Sequence, residues 1–109
     1  VIAVLSYGNF KALLTGDAGV VVEDQIAPLV GKIDILKVPH HGSRTGMSSY
    51  FLSEIQPSVA IISVGGKNKY GHPTKEMLDL LINYNIKTFR TDKDGEVEII
   101  SDGKTFHIN

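Results

Sequence analysis

Residues 33–46 read IDILKVPHHGSRTG. The run from Ile33 to Val38 is mostly apolar, lacks strict alternation and stops at Pro39, which predicts a short buried strand. Two adjacent histidines follow, His40 and His41, and then Gly42, Ser43, Arg44 and Thr45. Neighbouring imidazoles repel when both are charged, and neither serves an apolar core. A pair placed just past a buried strand, in a chain with 4 histidines in all, suits contact with a metal ion or a phosphate.

On the N-terminal side, Val1–Ser6 and Lys11–Thr15 are strand-like runs joined by YGNF, whose Gly8-Asn9 suits a tight hairpin. VVVEDQIAPLVG carries Ile26, Leu29 and Val30 on one helical face, stops at Gly31 and is kept short or irregular by Pro28. On the C-terminal side, Ser48 or Ser49 caps a short helix, YFLSEIQ, that Pro57 ends. VAIISV, Val59 to Val64, is a β-branched run typical of a strand covered on both faces. After the loop GGKNKYGHP, a helix begins at Thr74, with Glu76 in its first turn and Met77, Leu80, Leu81 and Tyr84 on one stripe. KTFRT, EVEIIS and KTFHI then form a β-meander with hairpin signals at Asp94-Gly95 and Asp102-Gly103. The order β-β-α-β-α-β-α-β-β-β implies a layered α/β fold with parallel pairing in a mixed sheet.

The 109 residues form one unit without repeats or linkers, 42% hydrophobic and 21% charged, with a net charge of -1. Such a balance leaves no global footprint for nucleic acid, so any such contact is local. The absence of cysteine excludes disulfides, thiolate catalysis and cysteine-held metals. No apolar run reaches the ~18–20 residues that span a bilayer. VIAVLSYG opens within a strand, which is expected of a piece of a longer domain.

Three polar positions share one topological place. Asp17 follows KALLTG, His40 and His41 follow DILKVP, and His72 lies in the loop after VAIISV. In layered α/β sheets the strand ends on one side form a common edge where ligands sit. One carboxylate with two or three imidazoles makes a good donor set for Zn²⁺, Mn²⁺ or Fe. Each residue also has an ordinary use: Asp17 as a Gly-Asp turn or helix cap, the histidine pair as loop donors to carbonyls, His72 as the lead-in to the helix at Thr74. His107 alternates along an edge strand and belongs to the surface. GGKNKYG is too loosely spaced for a dinucleotide fingerprint.

LLTGD, ILKVPHHGS, VAIISVG, YGHP and RTDKDGEVEI together resemble the second half of a metallo-β-lactamase superfamily domain, of the type found in ComEC-type competence DNA-uptake proteins. The resemblance runs along almost the whole chain, from the first strand to the final SDG, and HHGS followed by YGHP is its most specific part; it makes 1–109 the C-terminal half of such a domain. It implies an αβ/βα sandwich with a two-metal site, Zn or Mn, at the sheet edge. Asp17 matches the bridging aspartate and His72 the last metal-binding histidine. His40 and His41 match a pair that serves as metal ligand, His40 in particular, or as catalytic contact to the scissile phosphate. Ser43, Arg44, Lys67, Asn68 and Lys69 are the candidates for gripping substrate, with Arg44, Lys67 and Lys69 giving local positive charge. Such metal pairs lower the pKa of a bound water and supply hydroxide near neutral pH.

The HxHxDH-type signature of the family's first half is absent from this chain. It therefore carries half of a ligand set, and by itself is expected to bind metal weakly and to lack hydrolase activity. The expected parent is a hydrolase of DNA phosphodiesters acting in competence, with this part a soluble domain of a bacterial membrane protein, outside the bilayer. Two other readings fit the same residues: a stand-alone cytoplasmic hydrolase of a phosphocholine ester or lactone, and a non-catalytic module that has lost its metal. IDILKV and VAIISV are too apolar to be exposed on one face. The partners expected to hide that face are the rest of the same polypeptide or a second copy in a homodimer.

Overall fold

The protein's structure, a computed structural model, describes residues 3–15, 20–38, 47–63, 74–94 and 97–108. Gly8 adopts a positive φ and, with Asn9, reverses the chain between β1 (Ala3–Tyr7) and β2 (Phe10–Leu14), which pair antiparallel. From β2 to β5 each strand is followed by a helix. The order is α1 (Val20–Val30), β3 (Ile35–Lys37), α2 (Ser49–Ile55), β4 (Val59–Ile62), α3 (Lys75–Asn83) and β5 (Lys87–Arg90). A single helical turn, α4 (Thr91–Asp94), leads to β6 (Ile99–Ser101) and β7 (Phe106–Ile108). The main sheet is mixed, ordered β1-β2-β3-β4-β5, with β2 through β5 mutually parallel, while β6 and β7 form a separate antiparallel pair.

Local chemistry explains the helix ends. Ser48 caps α2 by accepting from the Phe51 N–H at 3.1 Å, and Thr74 caps α3 by accepting from the Met77 N–H at 3.3 Å. Gln56 takes a left-handed conformation just before Pro57 and closes α2. Pro28 lies inside α1 on an exposed face and does not stop it; the helix runs on to Val30, and Gly31, at φ 72, ends it. At the amino edge of the sheet, Lys11 and Asp34 exchange backbone and side-chain bonds at 2.9 Å, and Lys11 Nζ donates to the Val30 carbonyl at 2.8 Å. Ile33 N–H donates to the Ile55 carbonyl at 2.9 Å. The carboxyl ends of α1 and α2 therefore sit at the amino edge, and both helices run antiparallel to the strands.

Two apolar clusters lie on opposite faces of the sheet. On one, Leu13, Leu36, Ala60 and Ile62 pack with Ala27 of α1, Phe51, Leu52 and Ile55 of α2, and Met77 and Leu81 of α3. On the other, Phe10, Ala12, Ile35 and Val59 pack beneath Ile99, Phe106 and Ile108, so the β6–β7 hairpin covers that face. Alternation along the strands assigns neighbouring residues to different clusters. The covering is partial: Leu5 and Leu14 border a groove beside Ile61 and Ile99 and remain 58% and 44% exposed.

Three sequence expectations are corrected. KTFRT does not open a meander: β5 pairs in parallel with β4, because α3 carries the chain back to the amino edge before it begins. The antiparallel C-terminal pairing is confined to β6 and β7, where the Asp102-Gly103 turn is held by N–H donation from Lys104 and Thr105 to Asp102 Oδ1, each at 2.9 Å. Those bonds hold the Asp102 carboxyl below its ordinary pKa. Leu29 is 85% exposed, since α1 buries the stripe of Glu23 and Ala27 instead; Tyr84, expected on the core stripe of α3, is an exposed cap residue. Among the described residues, no helix is long and apolar enough to cross a membrane.

The two hairpin turns touch. Asn9 N–H donates to the Gly103 carbonyl at 2.6 Å, and a Cβ on Gly8 would collide with that same oxygen. Positive φ and lack of space both exclude a side chain at Gly8. Gly8→Ala is expected to destabilise by more than ~1 kcal/mol, read as a lower urea midpoint with an unchanged slope.

Candidate functional site

Because β2, β3 and β4 are parallel neighbours, their carboxyl ends lie side by side. The ladder pairs Leu14 with Lys37 and Lys37 with Ile61, so the ends are level as well as adjacent. Two further bonds tie them together: Thr15 Oγ1 donates to the Lys37 carbonyl at 2.6 Å, and Val38 N–H to the Ile61 carbonyl at 2.9 Å. Thr15 and Val38 are fully buried at this edge. The caps of α2 and α3 and the first turn of α1 return to the same edge, so helix N-termini and their partial positive charge face it.

Every residue expected to do chemistry follows these ends in sequence and lies outside the described residues. Asp17 lies within residues 16–19, two positions after Thr15. His40, His41, Ser43 and Arg44 fall within residues 39–46, entered from Val38 and left at Met47. Lys67, Asn68, Lys69 and His72 fall within residues 64–73, between Ser63 and Thr74. Among the described residues, no group of three or more His, Asp or Glu side chains could hold a metal ion. His107 is exposed on β7, in keeping with its surface assignment.

The structure adds a residue that sequence reasoning missed. Glu23, in the first turn of α1, is fully buried, and among the described residues neither carboxylate oxygen has a hydrogen-bond partner. Burial, then the charge of Asp24, raise its pKa from 4.5 to about 8, so the carboxyl holds a proton at neutral pH. Leaving such a group unpaired costs about 1–3 kcal/mol. Asp24 beside it accepts from Ser48 Oγ at 2.6 Å and so joins the first turn of α1 to the cap of α2. The sequence signal for Glu23 was its spacing of four from Ala27, which puts a carboxylate on a stripe otherwise buried. Thr15, a polar residue ending an apolar strand, was equally legible and equally missed.

No protein-family model matches the chain. It is similar to ComE operon protein 3 of Bacillus subtilis (strain 168), 38% identical over 93 residues, and to Recombination protein 2 of Haemophilus influenzae, 41% identical over 92 residues. It is also similar to Competence protein ComA of Neisseria gonorrhoeae, 35% identical over 97 residues. Each match covers 84% of this chain and only 12%, 12% and 14% of the relatives' own lengths. The chain is thus related to one segment of much longer, competence-related proteins.

The protonated Glu23 sets a sign for stability against pH. Between 4.5 and about 8 the folded state keeps a proton that the unfolded chain releases, so stability falls as pH rises through that window and levels off above it. Each tenfold gain in proton affinity on folding corresponds to at most about 1.4 kcal/mol. Urea midpoints are expected to decline from pH 5 to pH 8, and Glu23→Gln to flatten that decline.

Proposed function

We propose that this chain is part of a metal-dependent hydrolase domain of the metallo-β-lactamase superfamily, whose full-length protein cleaves phosphodiester bonds in DNA during competence. One observation carries the reading: the parallel strands end level on one edge, and the segments containing Asp17, the His40/His41 pair and His72 leave the described fold there. Similarity to competence-related proteins supports the cellular role, and the segment's share of those proteins supports a larger polypeptide around it.

The donor set suits divalent metal, since an aspartate and imidazoles are borderline-hard ligands, and the unpaired Glu23 carboxyl beside the strand ends suits a polar site rather than a sealed core. Asp17, His72 and His40 would hold the ions, with His41 as contact to the scissile phosphate. Bound metal would supply Lewis acidity and a hydroxide near neutral pH. Arg44, Lys67 and Lys69 would bind phosphates, while Ser43 and Asn68 would orient the strand by hydrogen bonding. The site would lie outside the bilayer of a bacterial membrane protein.

Full-length protein is expected to cleave DNA with Mn²⁺ and to leave phosphocholine esters and lactones intact. Asp17→Asn and His72→Asn should each lower cleavage by more than the ~10–100-fold that losing an outer partner of a ligand costs. His40→Asn and His41→Asn should differ from each other, since adjacent side chains in extended backbone point apart. Small-ester turnover without DNA cleavage would assign the fold to another hydrolase, and a protein without bound metal would be a binding module.

The 109-residue chain by itself is expected to bind Mn²⁺ weakly, to be inactive and to self-associate through the uncovered sheet face at Leu5 and Leu14. Light scattering with a Mn²⁺ titration checks this; a monodisperse monomer with tight Mn²⁺ binding is the contrary result.

A further inference from the structure

Lys37 is out of keeping with its surroundings. It ends β3, and the ladder sets it level with Leu14 of β2 on one side and Ile61 of β4 on the other. Its side chain lines the groove on the hairpin side of the sheet, with Leu5, Leu14, Ile35, Ile61 and Ile99. Lys37 is the one charged residue in that lining, and among the described residues its Nζ has no hydrogen-bond or ion-pair partner. The ordinary use of such a lysine is to lay its methylenes on apolar surface and keep the ammonium in water. That use holds only while the groove stays open. Leu5 and Leu14 are exposed and Ile61 and Ile99 half-buried, so the groove is a surface that gains by being covered. Any cover that reaches from Leu14 to Ile61 passes over Lys37, which stands between them. Burying an ammonium without an anion is strongly unfavourable, whereas a paired one is tolerated. The covering surface must therefore be apolar, with a carboxylate opposite Lys37.

A second copy does not meet that requirement. No Asp or Glu lines the groove, so setting groove against groove brings another lysine. Self-association of the isolated chain covers Leu5 and Leu14 but leaves Lys37 unpaired. The relatives, by contrast, extend far beyond the segment they share with this chain, which is 12% to 14% of their lengths. A tethered segment reaches the groove at an effective concentration that a separate partner does not match. We infer that Lys37 is a docking residue for the rest of its own polypeptide: an apolar segment outside residues 1–109 lies in the groove and sets an Asp or Glu carboxylate against the Lys37 ammonium. The apolar side chains supply the affinity. The ion pair selects the register in which the segment seats, because any other register buries both charges unpaired. The inference rests on the chain being a segment of a longer polypeptide and does not involve the metal site.

The test is made on the full-length protein. A carbodiimide condenses an amine with a carboxylate in contact, forming an amide while the reagent takes up the elements of water, and peptide mass spectrometry reads which residues are joined. A mixture of isotope-labelled and unlabelled protein tells links within one chain from links between copies. Lys37 is expected to be joined to an Asp or Glu of the same chain outside this segment. An amine-acetylating reagent should modify it several-fold more slowly than the exposed Lys104. Lys37→Met removes the cation and leaves the carboxylate buried alone, so the protein should unfold several degrees lower; Lys37→Arg keeps the charge and should lose less. A lysine in an open groove would be acetylated as fast as Lys104, and Lys37→Met would unfold at the same or a higher temperature. Either result overturns the inference, as does a link to a second copy or the absence of any link at Lys37.

Discussion

The parallel register of β2, β3, β4 and β5 is the constraint from which the rest of the molecule follows. Parallel neighbours cannot be joined by a tight turn, so each must be left at its carboxyl end and re-entered at its amino end through a crossover. The sheet order follows the chain order, and α1, α2 and α3 all pack against one face. The edges consequently differ in character. The amino edge is closed by backbone bonds among Lys11, Ile33, Asp34, Ile55 and Ser58. The carboxyl edge receives the ends of all four parallel strands, the starts of α1, α2 and α3, and the connections whose sequence holds nearly all the chemistry-bearing residues.

The second face obeys a different constraint. Its residues are as apolar as those beneath the helices, yet only a short hairpin lies on it. Phe10 stacks at a tilt against Phe106, with ring centroids 5.6 Å apart, and the turns meet at Gly8 and Gly103. Aromatic packing and one backbone bond thus fix where the hairpin sits. Coverage stops short of Leu5 and Leu14, because two three-residue strands cannot span a five-stranded sheet. An apolar strip of this kind beside the candidate site is consistent with a chain that matches only a small segment of its relatives.

Glu23 shows where stability and site chemistry pull apart. An apolar residue at that position would pack on the stripe of Ala27 at no polar cost, whereas the carboxyl is buried, protonated and without a partner among the described residues. Cores tolerate such groups poorly. The same edge buries Thr15, which satisfies its hydroxyl on the Lys37 carbonyl. The contrast between the two isolates the orphaned carboxyl as the exception.

The order of elements apart from α4, the buried character of IDILKV and VAII, the caps at Ser48 and Thr74 and the position of each candidate histidine and of Asp17 past a strand were legible in the sequence. They depend on local propensity and on short-range spacing, which a linear chain states directly. Three things were decided only by tertiary structure. KTFRT became the parallel partner of VAII because α3 returns it to the amino edge, and no local signal records which strand a segment will meet. The inward face of α1 is set by close approach at Ala27, which turns Leu29 to solvent and Glu23 into the core; hydropathy alone assigns those two the other way round. Gly8 is required by the distant Gly103 carbonyl, a contact that exists only once the hairpin has closed over the sheet. Pairing, facing and long-range collision are properties of the packed chain, and these are the terms in which the sequence is silent.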